Sequence, residues 1–251
     1  MVSAEFSLNG KSALVAGDSR FWSKHVSVAL AGAGADVAVA GKDSKKLDEA
    51  VIEVQRLGKK AVAITTDTTQ STQVQKMVDQ AVAGLGKIDI LVNAADLEFA
   101  KPFVDITEKE WNRVMASNLT SVFLTCQAVG KHMLKQEKGR VINIISCLAE
   151  RGMINGAAYC ASMGGVLEIT RTLALEWGRN GIRVNAIGAG WTSETETTGA
   201  EGEEKLLRYL PLKRYGQPGE IGSMVVYLAS DASDYVSGQF MYVDGGIMAH
   251  L

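Results

Sequence analysis

Short apolar runs alternate with longer amphipathic stretches along most of the chain. The runs are rich in Val, Ile and Ala, and their alternation with amphipathic segments is typical of strand–helix–strand units around a parallel sheet. Helices are expected between the runs; the stretch at 47–57 has apolar residues at spacings of three and four and ends at Gly58. Seven strands are predicted, at residues 11–16, 36–40, 61–65, 88–93, 141–145, 183–187 and 241–243.

No linker, repeat or low-complexity segment divides the 251 residues. The pattern therefore predicts one α/β domain, a Rossmann-type doubly wound fold with a seven-stranded parallel sheet and helices on both faces. One segment, at about 191–219, departs from the alternation and is rich in Thr, Gly and Glu. Ligands of open α/β sheets bind at the carboxyl ends of the strands, so this insertion is expected to be a flap over a site. A solvated loop with no role is the alternative.

Composition argues against several classes of function. The 26 basic and 28 acidic residues are scattered, and no Lys/Arg block could bind a nucleic acid or an anionic membrane, so neither partner is expected. The amino terminus has no signal-peptide pattern and no apolar run approaches about 18 residues, so a cytoplasmic protein is expected. The three cysteines form no C-x-x-C pair and the three histidines are isolated, so no metal site is expected.

Three polar residues carry a resemblance to a known family of enzymes. Ser146 follows the strand at 141–145 and precedes Tyr159 by 13 positions, and Asn118 lies in a predicted long helix. In these residues, and along essentially its whole length, the sequence resembles the short-chain dehydrogenase/reductase family. The resemblance implies that Tyr159 exchanges a proton with the substrate oxygen, that Ser146 helps to hold this oxygen, and that a nicotinamide exchanges the hydride. It also implies that Asn118 is the family's active-site asparagine.

The proton chemistry of the family uses a lysine four residues after the tyrosine, and here that position is Met163. An isolated tyrosine has a pKa of about 10, so at pH 7 only about one molecule in a thousand carries the phenolate that acts as a base. The family's lysine favours the phenolate and holds the nicotinamide ribose, whereas a thioether has no charge and donates no hydrogen bond. We therefore expect Asn118, Ser146 and Tyr159 to be remnants of an inactive catalytic site.

The phosphate-binding loop of the family has three glycines, and this chain keeps one of them. Gly17 holds the first position, but Phe21 and Ser23 stand where the second and third are expected. The second glycine lets the backbone approach a pyrophosphate, and the third permits close helix–strand packing. Asp18 adds a negative charge near a helix N-terminus that would otherwise attract phosphate. We expect the loop to exclude the cofactor, with Gly17 as a remnant.

Other cofactor positions of the family are partly kept. Asp67 matches the aspartate that contacts the adenine ring, and Asn93 begins the run Asn93-Ala94-Ala95-Asp96 where the family has Asn-Asn-Ala-Gly. The resemblance therefore marks Asp67 and Asn93 as remnants, and it sets the Asp96 carboxylate where a glycine borders the adenosine. We expect no cofactor on this chain, and NAD on a partner subunit.

Three hypotheses of function follow. The first is a non-catalytic subunit that stabilises or regulates a homologous active NAD-dependent chain, in a heterotetramer that oxidises a hydroxyacyl-type alcohol. In the family, two long helices, here at 108–134 and 155–180, pack against a partner chain. The pattern of losses resembles that of degenerate chains in family members built from two different chains, one of which acts in anaerobic toluene degradation.

The second hypothesis is a nicotinamide-independent enzyme similar to halohydrin dehalogenases, with Phe21 and Trp22 in the cofactor space. The third is an impaired reductase, which needs another cation near Tyr159, such as Arg151.

Overall fold

A computed structural model describes residues 4–17, 22–193 and 207–249. Within these ranges, parallel strands form one sheet in the order β3-β2-β1-β4-β5-β6-β7, which confirms the predicted seven-stranded parallel sheet. The strands are β1 (Ser12–Ala16), β2 (Asp36–Gly41), β3 (Ala61–Thr65), β4 (Ile90–Asn93), β5 (Gly139–Ser146), β6 (Ile182–Ala189) and β7 (Phe240–Val243).

Strand boundaries differ from the prediction at the two central strands β5 and β6. Both are eight residues long, because they pair in register from Gly139 opposite Ile182 to Ser146 opposite Ala189. Residues at the strand ends, such as Ser146, are polar or small, so the apolar pattern alone predicted shorter strands. Strand β4 begins at Ile90, two residues later than predicted, although Ile88 before it is fully buried.

Helices cover both faces of the sheet, as predicted. Neighbouring strand residues alternate between the two faces: Ala13 joins the apolar cluster with the helices α1, α2 and α7, and Leu14 joins the cluster with α3, α5 and α6. The predicted end of α2 at Gly58 is confirmed within two residues. The helices are α1 (Trp22–Gly32), α2 (Ser44–Arg56), α3 (Ser71–Leu85), α4 (Glu108–Met115), α5 (Ser121–Gln136), α6 (Ala157–Trp177) and α7 (Glu220–Ala229).

The helix predicted at 108–134 is confirmed, since helical backbone runs without a break from Glu108 to Gln136. A wide π turn at Ala116–Thr120 joins α4 to α5 within it, and the Ser121 amide donates to the Ala116 carbonyl five residues before it. This turn carries Asn118, which is buried. Spacings of three and four do not reveal one added residue in a turn, so the sequence did not predict the π turn. The helix predicted at 155–180 is α6, which begins at Ala157 and ends at Trp177.

The predicted flap segment at 191–219 is described only at its two ends, because residues 194–206 lie outside the described ranges. The ends meet: the Ser193 amide donates to the Gly216 carbonyl at 3.0 Å, and the Gly216 amide donates to the Trp191 carbonyl at 3.0 Å. The two described ends of the segment therefore lie side by side, just after β6. Across the described ranges, no helix has the length and apolar character needed to span a bilayer.

Candidate active site

A cavity of about 410 Å³ opens at the carboxyl ends of the central strands. Ser146 ends β5, Asp96 follows β4 by three residues, and Tyr159 lies in the first turn of α6. All three side chains belong to residues that line the cavity. The structure therefore brings Ser146 and Tyr159 together, in the position where open α/β sheets bind ligands.

The Tyr159 hydroxyl donates a hydrogen bond to Oδ1 of Asp96 at 2.9 Å. Burial raises the pKa of Tyr159 well above its ordinary value, and the charge of Asp96 raises it further because a phenolate would face a carboxylate. Burial also raises the pKa of Asp96 to about 6, although the hydrogen bond from Tyr159 acts to lower this pKa. Tyr159 is thus held as a protonated phenol that donates its proton to a neighbouring carboxylate.

Ser146 contacts the same hydroxyl. A hydrogen bond between the two side chains acts to lower the pKa of Tyr159, although burial and Asp96 outweigh it. The Ser146 hydroxyl oxygen also accepts the Leu148 amide at 3.1 Å, which fixes the serine at the start of a short 3-10 turn. The serine and tyrosine of the family's site therefore lie close to each other, with Asp96 as a third member.

Met163 lies one turn after Tyr159 on α6 and is 1% exposed. Its thioether packs in the apolar cluster that includes Val166 and Leu167. The position that carries an ammonium in the family is therefore a part of the core here. Arg151, the other cation considered for Tyr159, is exposed and is not among the described residues that line the cavity.

Asn118 is fully engaged by the loop after β4. Its side-chain oxygen accepts the Leu97 amide at 2.8 Å, and its amide group donates to the Leu97 carbonyl at 3.1 Å and to the Ser162 hydroxyl at 3.1 Å. The π turn at Ala116–Thr120 aims this side chain at the loop. Asn118 thereby positions Leu97, and with it the adjoining Asp96.

Gly17, the remaining glycine of the phosphate loop, is required by packing. Its φ is +124°, and a Cβ atom there would come within 2.5 Å of the Ala95 amide nitrogen. The Ser23 hydroxyl on α1 donates to the Gly17 carbonyl at 3.1 Å. The predicted obstructions Asp18 and Phe21 lie outside the described residues.

Asp67 and Asn93, the other predicted remnants, are bound by neighbouring side chains. Asp67 accepts the amide and the hydroxyl of Thr69 at 2.9 and 2.7 Å and pairs with Lys42 at 3.2 Å. Partial burial acts to raise the pKa of Asp67, but the hydrogen bonds from Thr69 outweigh it and hold this pKa below its ordinary value. Asn93 is buried; it donates to Asn143 at 2.8 Å and accepts the Thr125 hydroxyl at 2.6 Å.

Two residues at the site, Asp96 and Trp22, make contacts that sequence reasoning did not predict. The Asp96 carboxylate was expected beside an adenosine, but it lies at the Tyr159 hydroxyl instead. Trp22 is 4% exposed, lines the cavity, and makes a side-chain hydrogen bond to Asp96. The loop after β4 turns back across the strand ends, and the spacing of residues in the sequence does not show this turn. The one feature of the sequence that pointed to Asp96 was that it stands where the family has a glycine.

A nicotinamide dinucleotide is the cofactor that the family implies, and the described residues do not match its needs. Among the described residues, no lysine or arginine lines the cavity beside Tyr159, and Met163, at the position of the family's lysine, is buried in the core. Asp96 and Trp22 line the same cavity, and Asp96 adds a carboxylate beside the Tyr159 hydroxyl. The kept residues Gly17, Asp67 and Asn93 all have structural partners of their own.

Comparisons with known proteins agree with the fold. A family model described as enoyl-(acyl carrier protein) reductase matches residues 23–248. The 2-dehydro-3-deoxy-D-gluconate 5-dehydrogenase of Escherichia coli K12 is 37% identical over 99% of this chain and 100% of its own length. The gluconate 5-dehydrogenase of Gluconobacter oxydans is 35% identical over 98% of each chain.

A solved relative has the same architecture. The crystal structure of a gluconate 5-dehydrogenase from Burkholderia cenocepacia, in complex with NADP and tartrate, superposes with a TM-score of 0.91 at 31% identity, over 98% of each chain. A match of this length and similarity, together with the seven-stranded sheet and the paired Ser146 and Tyr159, establishes the family. The chain belongs to the short-chain dehydrogenase/reductase family.

Proposed function

We propose that this chain is a non-catalytic subunit of a hetero-oligomeric short-chain dehydrogenase, in which a homologous partner holds NAD and oxidises a hydroxyacyl-type alcohol. The hydrogen bond from Tyr159 to Asp96 carries the proposal. Alcohol oxidation needs the tyrosine as a phenolate that accepts the substrate's proton. Here burial and a carboxylate both oppose the phenolate, and the hydroxyl is already donating.

Loss of the cofactor on this chain is the second part of the proposal. Met163 supports it, because a buried thioether cannot hold a ribose diol. The wall formed by Trp22 and Asp96 supports it as well, since a carboxylate in the cavity disfavours an anionic ligand such as a dinucleotide. A chain without a cofactor and without a base can still contribute a rigid scaffold to an assembly.

The surface of helices α5 and α6 supports a partner subunit. A groove of about 400 Å³ runs between these helices, and Phe123 and Leu175 on them are 47% and 84% exposed. In the family these helices pack against a partner chain. The small residues Ala158 and Ser162 on α6 are buried within this chain, so they serve its own packing and not the approach of a partner.

Co-purification from the native host tests the proposal. The expected result is a complex of equal numbers of this chain and a homologous chain with an intact Tyr-x-x-x-Lys motif, with NAD-dependent turnover by the complex and none by this chain alone. A complex reconstituted with the Tyr159→Phe variant of this chain is expected to turn over its substrate as fast as the wild-type complex. A homo-oligomer that turns over an alcohol with NAD or NADP, and loses turnover in Tyr159→Phe, would contradict it.

Turnover assays on the same purified complex identify the substrate of the partner. The pattern of losses resembles the inactive chain of 2-[hydroxy(phenyl)methyl]succinyl-CoA dehydrogenase, an enzyme of anaerobic toluene degradation. A partner that oxidises this CoA ester would support that narrower identity. The relatives named above act by their names on gluconate-type acids, so the narrower identity rests on the losses alone.

A dehydrogenase of gluconate-type acids is the second candidate, because similarity to the Escherichia coli and Gluconobacter enzymes runs over nearly the whole chain. In this case the protonated Tyr159 would serve as the acid of a keto-acid reduction. Turnover of a keto-gluconate with NADPH by the isolated chain separates the two candidates. A nicotinamide-independent enzyme is the third, and Trp22 in the cavity favours it, but no lysine or arginine of the described ranges lines the cavity in place of the family's lysine.

A further inference from the structure

The cavity at the strand ends is acidic, although the Escherichia coli and Gluconobacter relatives named above are by their names enzymes of gluconate-type acids. Two carboxylates, Asp96 and Glu98, line it, and no lysine or arginine does so among the described residues. Glu98 is near enough that its charge raises the pKa of both Asp96 and Tyr159. An anionic ligand would therefore enter a negative potential with no cation to meet it.

The neighbouring cavity, also about 410 Å³, continues the same cleft on the other side of Trp22 and Trp191. Arg214 is the one cation among its described lining residues, and Glu220 holds it by two hydrogen bonds of 2.7 and 2.8 Å. Asp244, on the same wall, adds a further carboxylate. Both parts of the cleft are thus negative or neutral.

Aromatic side chains form much of the remaining wall of the first cavity. Trp22, Phe99, Tyr159 and Trp191 all line it. The faces of aromatic rings attract cations through the ring quadrupole, most strongly where water is excluded, and recognition of alkylammonium groups uses such rings together with carboxylates. A volume of about 410 Å³ is also large enough for a small organic ligand.

We propose that this cavity binds a small organic cation, an ammonium group with short apolar substituents, with Asp96 and Glu98 as counter-charges and Trp191 and Phe99 as aromatic walls. The proposal rests on the proposed loss of the dinucleotide, because the cavity is open to another ligand only when no cofactor fills it. The ligand's ammonium would supply, beside Tyr159, the positive charge that Met163 does not.

Calorimetric titration at pH 8 with three matched probes tests the proposal. Choline is a quaternary ammonium, 3,3-dimethyl-1-butanol has nearly the same shape without the charge, and gluconate is an anion. Choline is expected to bind at least about tenfold more tightly than the neutral isostere, because it gains the carboxylate and ring attractions. Gluconate is expected to give no heat of binding.

Two variants assign the binding to this cavity. Asp96→Asn keeps the size and removes the charge, and it is expected to weaken choline binding by about tenfold. Glu98→Gln, at an exposed position, is expected to weaken it too and keeps the proposal testable if Asp96→Asn does not fold. Glu53→Gln, on α2, is the control and is expected to leave binding unchanged.

Equal affinity for choline and its isostere, tighter binding of gluconate, or no binding of choline at tens of millimolar would each overturn the cation site. These results are distinct from failure of the proposed function. Micromolar binding of a nicotinamide dinucleotide overturns the proposed function whatever choline does, whereas absence of both ligands overturns only the cation site.

Discussion

Tyr159 donates its phenolic proton to Oδ1 of Asp96 at 2.9 Å. In a working dehydrogenase of this family, a glycine stands at position 96 and a lysine at position 163. Replacing the glycine by a carboxylate and the lysine by Met163 removes a positive charge from the tyrosine and adds a negative one. Both changes disfavour the phenolate, so they act in the same direction on the same proton.

Replacing Asp96 by Asn tests this relationship at the tyrosine. The variant keeps an acceptor oxygen for the hydroxyl and removes the charge, so the pKa of Tyr159 is expected to fall. It is expected to stay above the ordinary value of about 10, because burial, the larger cause, is unchanged. Carbon NMR of ring-labelled tyrosine measures this pKa, and Tyr159→Phe assigns the signal. An unchanged pKa would show that Asp96 does not act on Tyr159.

The stability of the protein is expected to depend on the protonation of Asp96. The pKa of this carboxyl is about 6 in the folded chain, against 3.8 as its ordinary value, so the folded state holds the proton more tightly. Stability therefore falls as the pH rises from about 4 to about 6, by up to about 3 kcal/mol, and is flat above that range. Urea unfolding of the wild type and of Asp96→Asn at each pH isolates the effect as their difference. A difference that grows in favour of the wild type over this range would contradict the prediction.

Restoring the lysine alone is not expected to restore activity. Met163→Lys supplies an ammonium one turn from Tyr159, but Asp96 and Trp22 still line the site. We expect no turnover with NAD or NADP, and a loss of about 1–3 kcal/mol in the free energy of unfolding, because a charge replaces a buried thioether. Met163→Leu is the matched control and is expected to cost less than about 1.5 kcal/mol. Measurable nicotinamide-dependent turnover by Met163→Lys would refute the account of the inactive site.

Gly17 is expected to be essential for folding whatever the chain binds. Gly17→Ala puts a Cβ atom within 2.5 Å of the Ala95 amide nitrogen at a φ of +124°, so it is expected to cost about 3 kcal/mol or more. Gly58→Ala has a φ of +73° with nothing within 4 Å, so about 1 kcal/mol is expected. Denaturant unfolding of both variants measures the difference. Equal losses in the free energy of unfolding would mean that the backbone around Gly17 shifts to accommodate the added methyl group.

The strands and helices could be predicted from the sequence because their buried faces are regular. The end of α2 near Gly58 follows from apolar spacing and a glycine with positive φ. The π turn at Ala116–Thr120 could not be predicted, since one extra residue in a helical turn leaves the apolar pattern almost unchanged. The π turn matters for the site, because it directs Asn118 to the loop that holds Asp96.

The site could be predicted where its residues match the motif of the family, and not where they meet through a loop. Ser146 and Tyr159 were paired by spacing and resemblance, and the structure brings them together. The contact of Asp96 with Tyr159 joins residues 63 positions apart through a loop that folds back, and no local pattern reports such a contact. Trp22 was expected in the cofactor space, but its contact with Asp96 was not predicted, since that contact also spans distant parts of the chain.

Whether this chain binds a nicotinamide cofactor decides whether its site is inactive. The measurement is calorimetric titration of the purified chain with NAD and NADP, each in its oxidised and reduced form. We expect no heat of binding up to millimolar concentrations, because Met163 offers no cation and Asp96 adds a carboxylate to the cavity. A dissociation constant in the micromolar range for any of the four would contradict it.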